Sequence, residues 1–331
     1  MLRRMFGAVA IMAAAYCAGA IGTMTAAFAG TGQPVDGQMG LQGPATPVME
    51  HINDLYSVVN ITIIAITIFV LLLMLYVMYR FSEKNNPTPS RTTHNVMLEV
   101  AWTIIPILIL VGISIPSFRL LFEQYSFPKP DLTIKATGNA WYWDHEYLDQ
   151  KVTITSTVVS DEDVLKAKLG DAPFKKGAKY DSDVLTGVAR NKVLYEDSAA
   201  IWAERKEPRK LAVDQAIAVP VNKTVHLLVT SNDVIHSWTI PSFGVKQQAV
   251  PGRTAAVWFR ATKTGTFYGQ CSVLCGKLHS AMPIAVQVVE QPVYDSWMAA
   301  LQAKDKKKAA EILKAEALRV QGGQSVAHLN N

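Results

Sequence analysis

Cysteine is scarce in this chain of 331 residues, which contains only three. Cys17 lies in the apolar N-terminal stretch, so Cys271 and Cys275 are the only cysteines in the rest of the sequence. This excludes a framework of several disulfides and confines sulfur chemistry to one short segment. In an oxidising compartment, two thiols this close in sequence either crosslink or hold metal.

Patterns for nucleic-acid binding and for haem attachment are also absent. No basic run is interleaved with aromatic residues, and the formal net charge of +5 is weak, so nucleic acid is not a predicted partner. The densest basic cluster, Lys304 to Lys308, lies in a mostly polar C-terminal stretch. Because no Cys-x-x-Cys-His motif is present, the chain carries no fused cytochrome c domain.

Three long stretches are apolar and contain few charged residues. The first is at the N terminus. Residues 1–29 contain two early arginines, an apolar core and small residues up to Ala29. This order is typical of a secretory signal peptide and predicts cleavage after Ala29, with an uncleaved anchor helix as the alternative. Residues 30–56 would then form a short exported segment.

The other two apolar stretches predict membrane-spanning helices. Ser57–Tyr79 has no charged residue, and Val100–Phe122 has none before Arg119. Both are long enough to cross a bilayer, and the linker between them is more basic than acidic, which places it in the cytoplasm. We therefore expect a lipid-embedded hairpin over residues 57–127 of a bacterial inner-membrane protein, with everything after it in the periplasm.

An all-β domain is predicted over residues 128–292. Short segments such as KVTITSTVV and AAVWFRA are rich in β-branched and aromatic residues and are separated by turns, as in an antiparallel sandwich or barrel. Residues 161–210 are charged and predict an insertion with short helices. Residues 293–331 predict a helical and mobile C-terminal tail.

The segment CSVLCGKLHSAMP at residues 271–283 concentrates soft metal-binding side chains. Three residues separate Cys271 from Cys275, three separate Cys275 from His279, and two separate His279 from Met282. Thiolate, imidazole and thioether together favour copper over magnesium or calcium. The segment has one cysteine too many and one histidine too few for a mononuclear electron-transfer copper site.

His236 can supply the missing imidazole. The economical arrangement bridges two copper ions through both thiolates, gives each ion one histidine and uses Met282 and the main-chain oxygen of Val273 as weak ligands. Three alternatives remain: a disulfide, a closed zinc site of two cysteines and two histidines, and core residues that lie together by chance.

These motifs resemble subunit II of the haem-copper cytochrome c oxidases. The resemblance rests on HNVMLEVAWTIIP, WYWDHEY, DVIHSWTIPSFGVK, AVPGR and YGQCSVLCGKLHSAMPI, in that order. It implies a two-helix transmembrane hairpin followed by a cupredoxin-like domain that carries the binuclear copper centre Cu-A. The implied copper ligands are His236, Cys271, the Val273 oxygen, Cys275, His279 and Met282.

The resemblance also implies partners and a reaction. Cytochrome c would deliver an electron near Trp141, and the copper pair would pass it to haem in subunit I, where oxygen is reduced to water and protons are pumped. From sequence alone, Trp141 would more often be an ordinary packing residue, and only the resemblance reverses that interpretation. Glu99, at the cytoplasmic end of the second span, would lie at the entrance of a proton path, with a hydrated interfacial acid as the alternative.

Four acidic residues are candidates for docking a lysine-rich cytochrome c. They are Asp144, Glu146, Asp149 and Asp233. Each is also compatible with plain solvated surface.

Two acidic residues that are usual in the family are absent from this chain. Val273 and Gln248 stand where the family usually has Glu and Asp. The family glutamate helps to hold a magnesium ion at the interface with subunit I, so that ion is in doubt for this chain. The copper centre needs only the carbonyl of residue 273.

Two other functions compete with electron entry. A quinol oxidase subunit II without metal would lack the copper ligands, and all of them are present. A periplasmic copper-delivery protein would use the ligands but would not need two spans or Glu99.

Overall fold

The computed structural model describes residues 32–183, 186–205 and 207–329, with side chains described up to residue 320. The predicted signal peptide, residues 1–29, lies outside the described residues. Val48–Ser126 form one compact unit. The other unit contains the segment that ends at Pro47 together with the chain from Phe127 onward.

Two long apolar helices make up the first unit. Helix α1 spans Pro47–Arg80 and α2 spans Val96–Tyr125, with mean hydropathies of 2.9 and 2.4 over their most apolar windows. Asn95 caps α2, because its side chain accepts hydrogen bonds from the first free backbone N–H groups of the helix. The predicted hairpin is confirmed, although α1 begins at Pro47 rather than at Ser57.

The second unit is a β-sandwich with additional helices. Its described strands form a five-stranded sheet of order β3-β2-β1-β5-β8, a three-stranded sheet of order β4-β10-β9 and the pair β6-β7. The strands are β1 Leu132–Asn139, β2 Tyr142–Tyr147, β3 Val152–Ser156, β4 Ile217–Pro220, β5 Thr224–Ser231, β6 His236–Ile240, β7 Val245–Ala249, β8 Ala255–Arg260, β9 Gly265–Gln270 and β10 Pro283–Val289. The predicted all-β fold class is confirmed.

The sequence predicts antiparallel sheets, but two of the strand pairs are parallel. Strand β1 pairs in parallel with β5, and β4 pairs in parallel with β10. Parallel neighbours need a long crossover connection, and the chain supplies one in each case because many residues separate the paired strands. The β6–β7 pair was also missed, since VKQQA carries little β-forming signal.

Alternation along the strands places the core. In β2, Trp143, His145 and Tyr147 are buried, whereas the residues between them are partly exposed. Stacked aromatic rings extend this core: Phe243 lies 4.9 Å from Phe259, measured between ring centroids. The interior therefore holds one face of the five-stranded sheet against the smaller sheets.

The structure describes four more α-helices in this unit. Two lie within residues 161–210 and two follow β10. They are α3 Asp161–Leu169, α4 Gly187–Arg205, α5 Gln291–Gln302 and α6 Lys306–Leu329. Helix α5 buries Tyr294 and Trp297 against the domain core, so the start of the predicted tail is part of the folded unit.

Residues 161–210 have small cores of their own. Val164, Trp202 and Ala212 form one cluster, and Leu165, Tyr180 and Leu194 form another. Ser160 and Asp163 close the N terminus of α3 with a capping box. The segment thus contains its own helix-capping residues and its own apolar contacts.

Candidate metal centre

Three pieces of chain bring the soft side chains together. His236 is the first residue of β6, Cys271 directly follows β9, and Met282 directly precedes β10. Strands β9 and β10 pair antiparallel, and the Cys271 backbone N–H donates to the Met282 carbonyl at 3.0 Å. The segment between them is therefore a closed loop whose two ends are held in register.

Each cysteine sulfur lies beside one imidazole. Cys271 Sγ is 4.0 Å from His236 Nδ1, and Cys275 Sγ is 3.5 Å from His279 Nδ1. The two sulfurs are 3.7 Å apart, and Cys271 Sγ lies 3.3 Å from the Val273 oxygen. Five of the six predicted ligands are therefore clustered in the structure.

The sulfur atoms are not bonded to one another. Both cysteines are free, and their 3.7 Å separation greatly exceeds a disulfide bond of about 2.05 Å. The predicted disulfide alternative does not describe this structure.

The cysteine and histidine donors do not all lie in one compact group. The ligand atoms of His236, Cys271 and Cys275 all lie within 4.8 Å of one another, and His279 is not part of that group. A closed tetrahedral zinc site with bonds of about 2.0–2.3 Å would draw all four donors around one point. The arrangement instead gives each histidine its own cysteine partner, as expected for two ions that share both sulfurs. Met282, fully buried, adds a thioether.

The Cys275 thiol is held in its protonated form by its surroundings. Burial raises the pKa of Cys275 to about 12, and the neighbouring Cys271 adds to the shift. Because a metal binds the thiolate, loading the site releases protons and supplies the positive charge that the buried sulfurs lack.

Asp233 fixes the orientation of His236. Its Oδ1 lies 2.7 Å from His236 Nε2, which leaves Nδ1 of this fully buried ring directed toward the Cys271 sulfur. Burial would raise the pKa of Asp233, but hydrogen bonds from His236 and from two backbone N–H groups outweigh burial and lower it. Asp233, predicted as a docking acid, is thus engaged behind a candidate metal ligand.

Space for the His236 ring is provided by Gly138 on β1. A Cβ at this position would lie only 2.8 Å from His236 Cδ2. The Trp143 ring borders the same imidazole, with 6.0 Å between centroids. Neither neighbour carries a metal-binding signal in the sequence, so neither was among the predicted site residues.

Trp141 contacts the ligand loop directly. Its indole Nε1–H donates to the Cys275 carbonyl at 3.1 Å, across a sequence separation of 134 residues. Gly276 makes this approach possible: its φ is +113°, and a Cβ there would lie 3.2 Å from the indole ring. A half-buried aromatic side chain is therefore hydrogen-bonded to the backbone of a candidate ligand.

The remaining predicted acids lie on or near β2. Asp144 accepts hydrogen bonds from Asn139 and Thr155, at 2.9 and 2.6 Å, while Glu146 is on the same outward face and Asp149 is exposed in the following turn. None of these contacts reveals a partner.

The positions that depart from the family pattern offer no carboxylate. Val273 is half-buried and Gln248 is exposed. Because magnesium prefers carboxylate and water oxygens, the residues of this chain do not fit the magnesium ion implied by the resemblance.

Glu99 lies in the first turn of α2, in the membrane unit. A carboxylate there is favourably placed relative to the helix dipole. This environment agrees with both the proton-path and the interfacial interpretation.

Two family models match the chain. A model of the cytochrome c oxidase subunit II transmembrane domain matches residues 34–120, and a model of the subunit II periplasmic domain matches residues 179–289. Together they cover the two apolar helices and the strands that carry the soft ligands.

Sequence relatives agree with these matches over most of their length. The chain is 45% identical over 267 residues to "Cytochrome c oxidase subunit 2" of Cereibacter sphaeroides, covering 81% of each chain. It is 38% identical over 273 residues to "Probable cytochrome c oxidase subunit 2" of Rickettsia bellii, covering 82% of this chain and 87% of that one.

One similar solved structure is the crystal structure of the periplasmic domain of cytochrome oxidase subunit II from Bradyrhizobium japonicum. The identity is 39%, with 54% of this chain and 99% of that chain covered and a TM-score of 0.40.

Proposed function

Because the chain belongs to the cytochrome c oxidase subunit II family, we propose that it is the electron-entry subunit of its oxidase. It is a two-span inner-membrane protein with a periplasmic β-domain. The observation that carries the proposal is the pairing of each cysteine sulfur with one imidazole, at 4.0 and 3.5 Å.

The metal in this proposal is a pair of copper ions. Cys271 and Cys275 would be the shared ligands, His236 and His279 the terminal ligands, and Met282 with the Val273 oxygen the weak ligands. When bound, such a pair supplies a one-electron redox centre. The chain's own contribution is a donor set in which His236, Cys271, Cys275 and Met282 are buried and Asp233 orients the His236 imidazole.

Trp141 is the proposed point of entry. Its N–H bond to the Cys275 carbonyl gives a short route from a partly exposed ring to the backbone of a ligand. Cytochrome c would dock over this ring, steered by Asp144, Glu146 and Asp149. Asp233 would contribute through His236, since its carboxylate is already hydrogen-bonded there.

Downstream steps belong to the other oxidase subunits. The electron would pass to haem in subunit I, where oxygen becomes water and protons are pumped. Glu99 would serve proton uptake at the cytoplasmic side, and its replacement by alanine should slow turnover without changing cytochrome c affinity. No step requires the interfacial magnesium ion, since Val273 and Gln248 supply no carboxylate for it.

The experiment is electron entry measured in Trp141→Phe within the purified complex. We expect slower reduction by cytochrome c with an unchanged copper spectrum, because the phenyl ring cannot donate to the Cys275 carbonyl. Tyr142→Phe is the matched control: it changes the adjacent aromatic residue and should leave the entry rate unaltered. An entry rate in Trp141→Phe equal to that of the unmodified chain would remove Trp141 from the path.

A further inference from the structure

The two candidate ligands His236 and Cys271 come from different sheets. His236 opens β6, which pairs only with β7, whereas Cys271 follows β9, which pairs with β10. No ladder of backbone hydrogen bonds between described strands joins β6 to β9. Something other than sheet pairing must therefore fix the 4.0 Å between Nδ1 and Sγ.

Three hydroxyl groups lie next to these two ligands in the chain, one or three residues further along. Ser237 follows His236, Ser272 follows Cys271, and Thr239 is two residues beyond Ser237 on the same face of β6. Thr239 Oγ1 is 2.8 Å from Ser272 Oγ, and Ser272 Oγ is 3.0 Å from Ser237 Oγ.

The donors in this cluster form a directed chain. Ser237 donates to the Gln247 carbonyl at 3.3 Å, and Ser272 donates to Ser237. Since each hydroxyl has one proton to donate, Thr239 is left to donate to Ser272. A backbone bond runs alongside, from the Ser272 N–H to the Ser237 carbonyl at 3.3 Å.

The backbones of β6 and β9 also approach each other closely. A Cβ on Gly269 of β9 would lie 1.8 Å from the Thr239 carbonyl oxygen, so only glycine permits this approach. The close contact and the hydroxyl chain meet at Thr239, one on its backbone and the other on its side chain.

We propose that Thr239, Ser272 and Ser237 are positioning residues that set the separation of the His236 and Cys271 ligand segments, and with it the geometry of the metal centre. The inference rests on the proposed copper centre. The chain ends on the Gln247 carbonyl, which has no proton to pass on, so it acts by holding position and not as a proton relay.

The geometry gives Thr239 and Ser272 different weights. Ser272 both donates and accepts, so its loss interrupts the chain in the middle. Loss of the Thr239 hydroxyl removes its bond to Ser272 and a longer contact of 3.4 Å with Ser237, and it leaves Ser272 bonded to Ser237. We therefore expect Ser272→Ala to perturb the centre more than Thr239→Val, and the double variant to be no worse than Ser272→Ala alone.

The test compares Thr239→Val, which preserves shape and removes the hydroxyl, with Thr239→Ser, which keeps the hydroxyl. Both are made in the full chain within the purified complex. Copper content, the hyperfine splitting of bound copper and its reduction potential are measured, together with the rate of copper loss to a chelator. Thr153→Val, the same replacement at an exposed position of β3, is the matched control.

We expect Thr239→Val to keep its copper but to show altered hyperfine splitting, a shifted potential and up to about tenfold faster copper loss. Thr239→Ser and Thr153→Val should match the unmodified chain. Unaltered splitting, potential and loss rate in both Thr239→Val and Ser272→Ala would overturn the positioning role while leaving the copper centre intact. Absence of copper from the unmodified complex would instead overturn the proposed function.

Discussion

The ligand end of the β-domain and the insertion at residues 161–210 are stabilised by different kinds of contact. At the ligand end, hydrogen bonds join residues far apart in sequence: Trp141 to Cys275 across 134 positions and Ala140 to Asp233 across 93. In the insertion, the main ion pairs are Arg190 with Glu162, 28 positions apart, and Arg209 with Asp161, 48 apart.

The ligand end and the insertion also differ in how deeply their side chains are buried and in whether their contacts are charged. At the ligand end, His236 and Met282 are fully buried, and the hydroxyl bonds join neutral groups. The insertion relies on charged pairs that remain partly exposed, with side chains 14% exposed for Asp161 and 33% for Arg209. The ligand site therefore depends on closure of the whole sandwich, whereas the insertion depends on its own neighbours.

This contrast predicts that changes in one region leave the other intact. The strongest test of this independence is the variant Cys271→Ser. We expect this change to abolish the bound copper pair, because the serine hydroxyl stays protonated at neutral pH and its hard oxygen is a poor ligand for copper. Copper content and spin resonance measure the effect.

Trp202→Phe in the insertion is the comparison for that experiment. It removes the indole bond to Asp161 and should leave the copper signal as it is. Loss of copper from Trp202→Phe would mean that the two regions are coupled.

The next largest effect is expected for Gly269→Ala. The added methyl group would collide with the Thr239 carbonyl, and overpacking of this kind costs about 3 kcal/mol or more of unfolding free energy. Denaturation of the full chain in detergent, followed by tryptophan fluorescence, measures it. Gly40→Ala is the matched control, since nothing lies within 4 Å of a Cβ there. Equal stability of the two variants would contradict the close approach of β6 and β9.

A smaller, local effect is expected for Asp161→Asn. Burial raises the pKa of Asp161, but hydrogen bonds from Arg209 and Trp202 outweigh it and lower the pKa below the ordinary 3.8. The paired carboxylate therefore stabilises the insertion above its ordinary pKa, and this stability is lost as the pH falls through the lower folded-state value. Its removal should cost about 1 kcal/mol, discounted for partial exposure.

Hydrogen exchange of residues 161–210 between about pH 5 and pH 3 measures this dependence. After division by the intrinsic exchange rate at each pH, the protection of the unmodified insertion should decrease as the pH falls, and Asp161→Asn should be weakly protected throughout with a flatter profile. An unchanged profile in the variant would assign the acid sensitivity to other groups.

The smallest effect is expected for Lys192→Ala. Its pair with Glu196 spans 3.9 Å, and the two side chains are 73% and 58% exposed. Such pairs contribute little, so unfolding free energy should change by less than about 0.5 kcal/mol. A thermal unfolding curve that shifts as far as that of Asp161→Asn would show that exposure does not rank these ion pairs.

The same contrast explains what the sequence could predict. Periodicity of two predicted most strands, and uncharged length predicted the hairpin, because both are local signals. The spacing of Cys271, Cys275, His279 and Met282 identified the ligand loop for the same reason. The docking interpretation of Asp233 could not anticipate its bond to His236, although the two are only 3 positions apart, because their side-chain directions depend on the folded loop.

Long-range features carried no local signal. The parallel pairing of β1 with β5 and the indole bond to Cys275 depend on where the sandwich brings distant segments. Gly269 and Gly276 each permit a backbone or ring approach that becomes visible only in three dimensions. The approach of β9 to Thr239 and the approach of the Trp141 ring to the ligand loop thus both depend on a glycine, which leaves room for them.

The most direct test of the central claim is spin resonance with copper quantification on the purified membrane complex. Two copper ions per chain and hyperfine splitting shared between two copper nuclei are the predicted result. Splitting from one isolated copper(II), or no copper at all, would contradict the account.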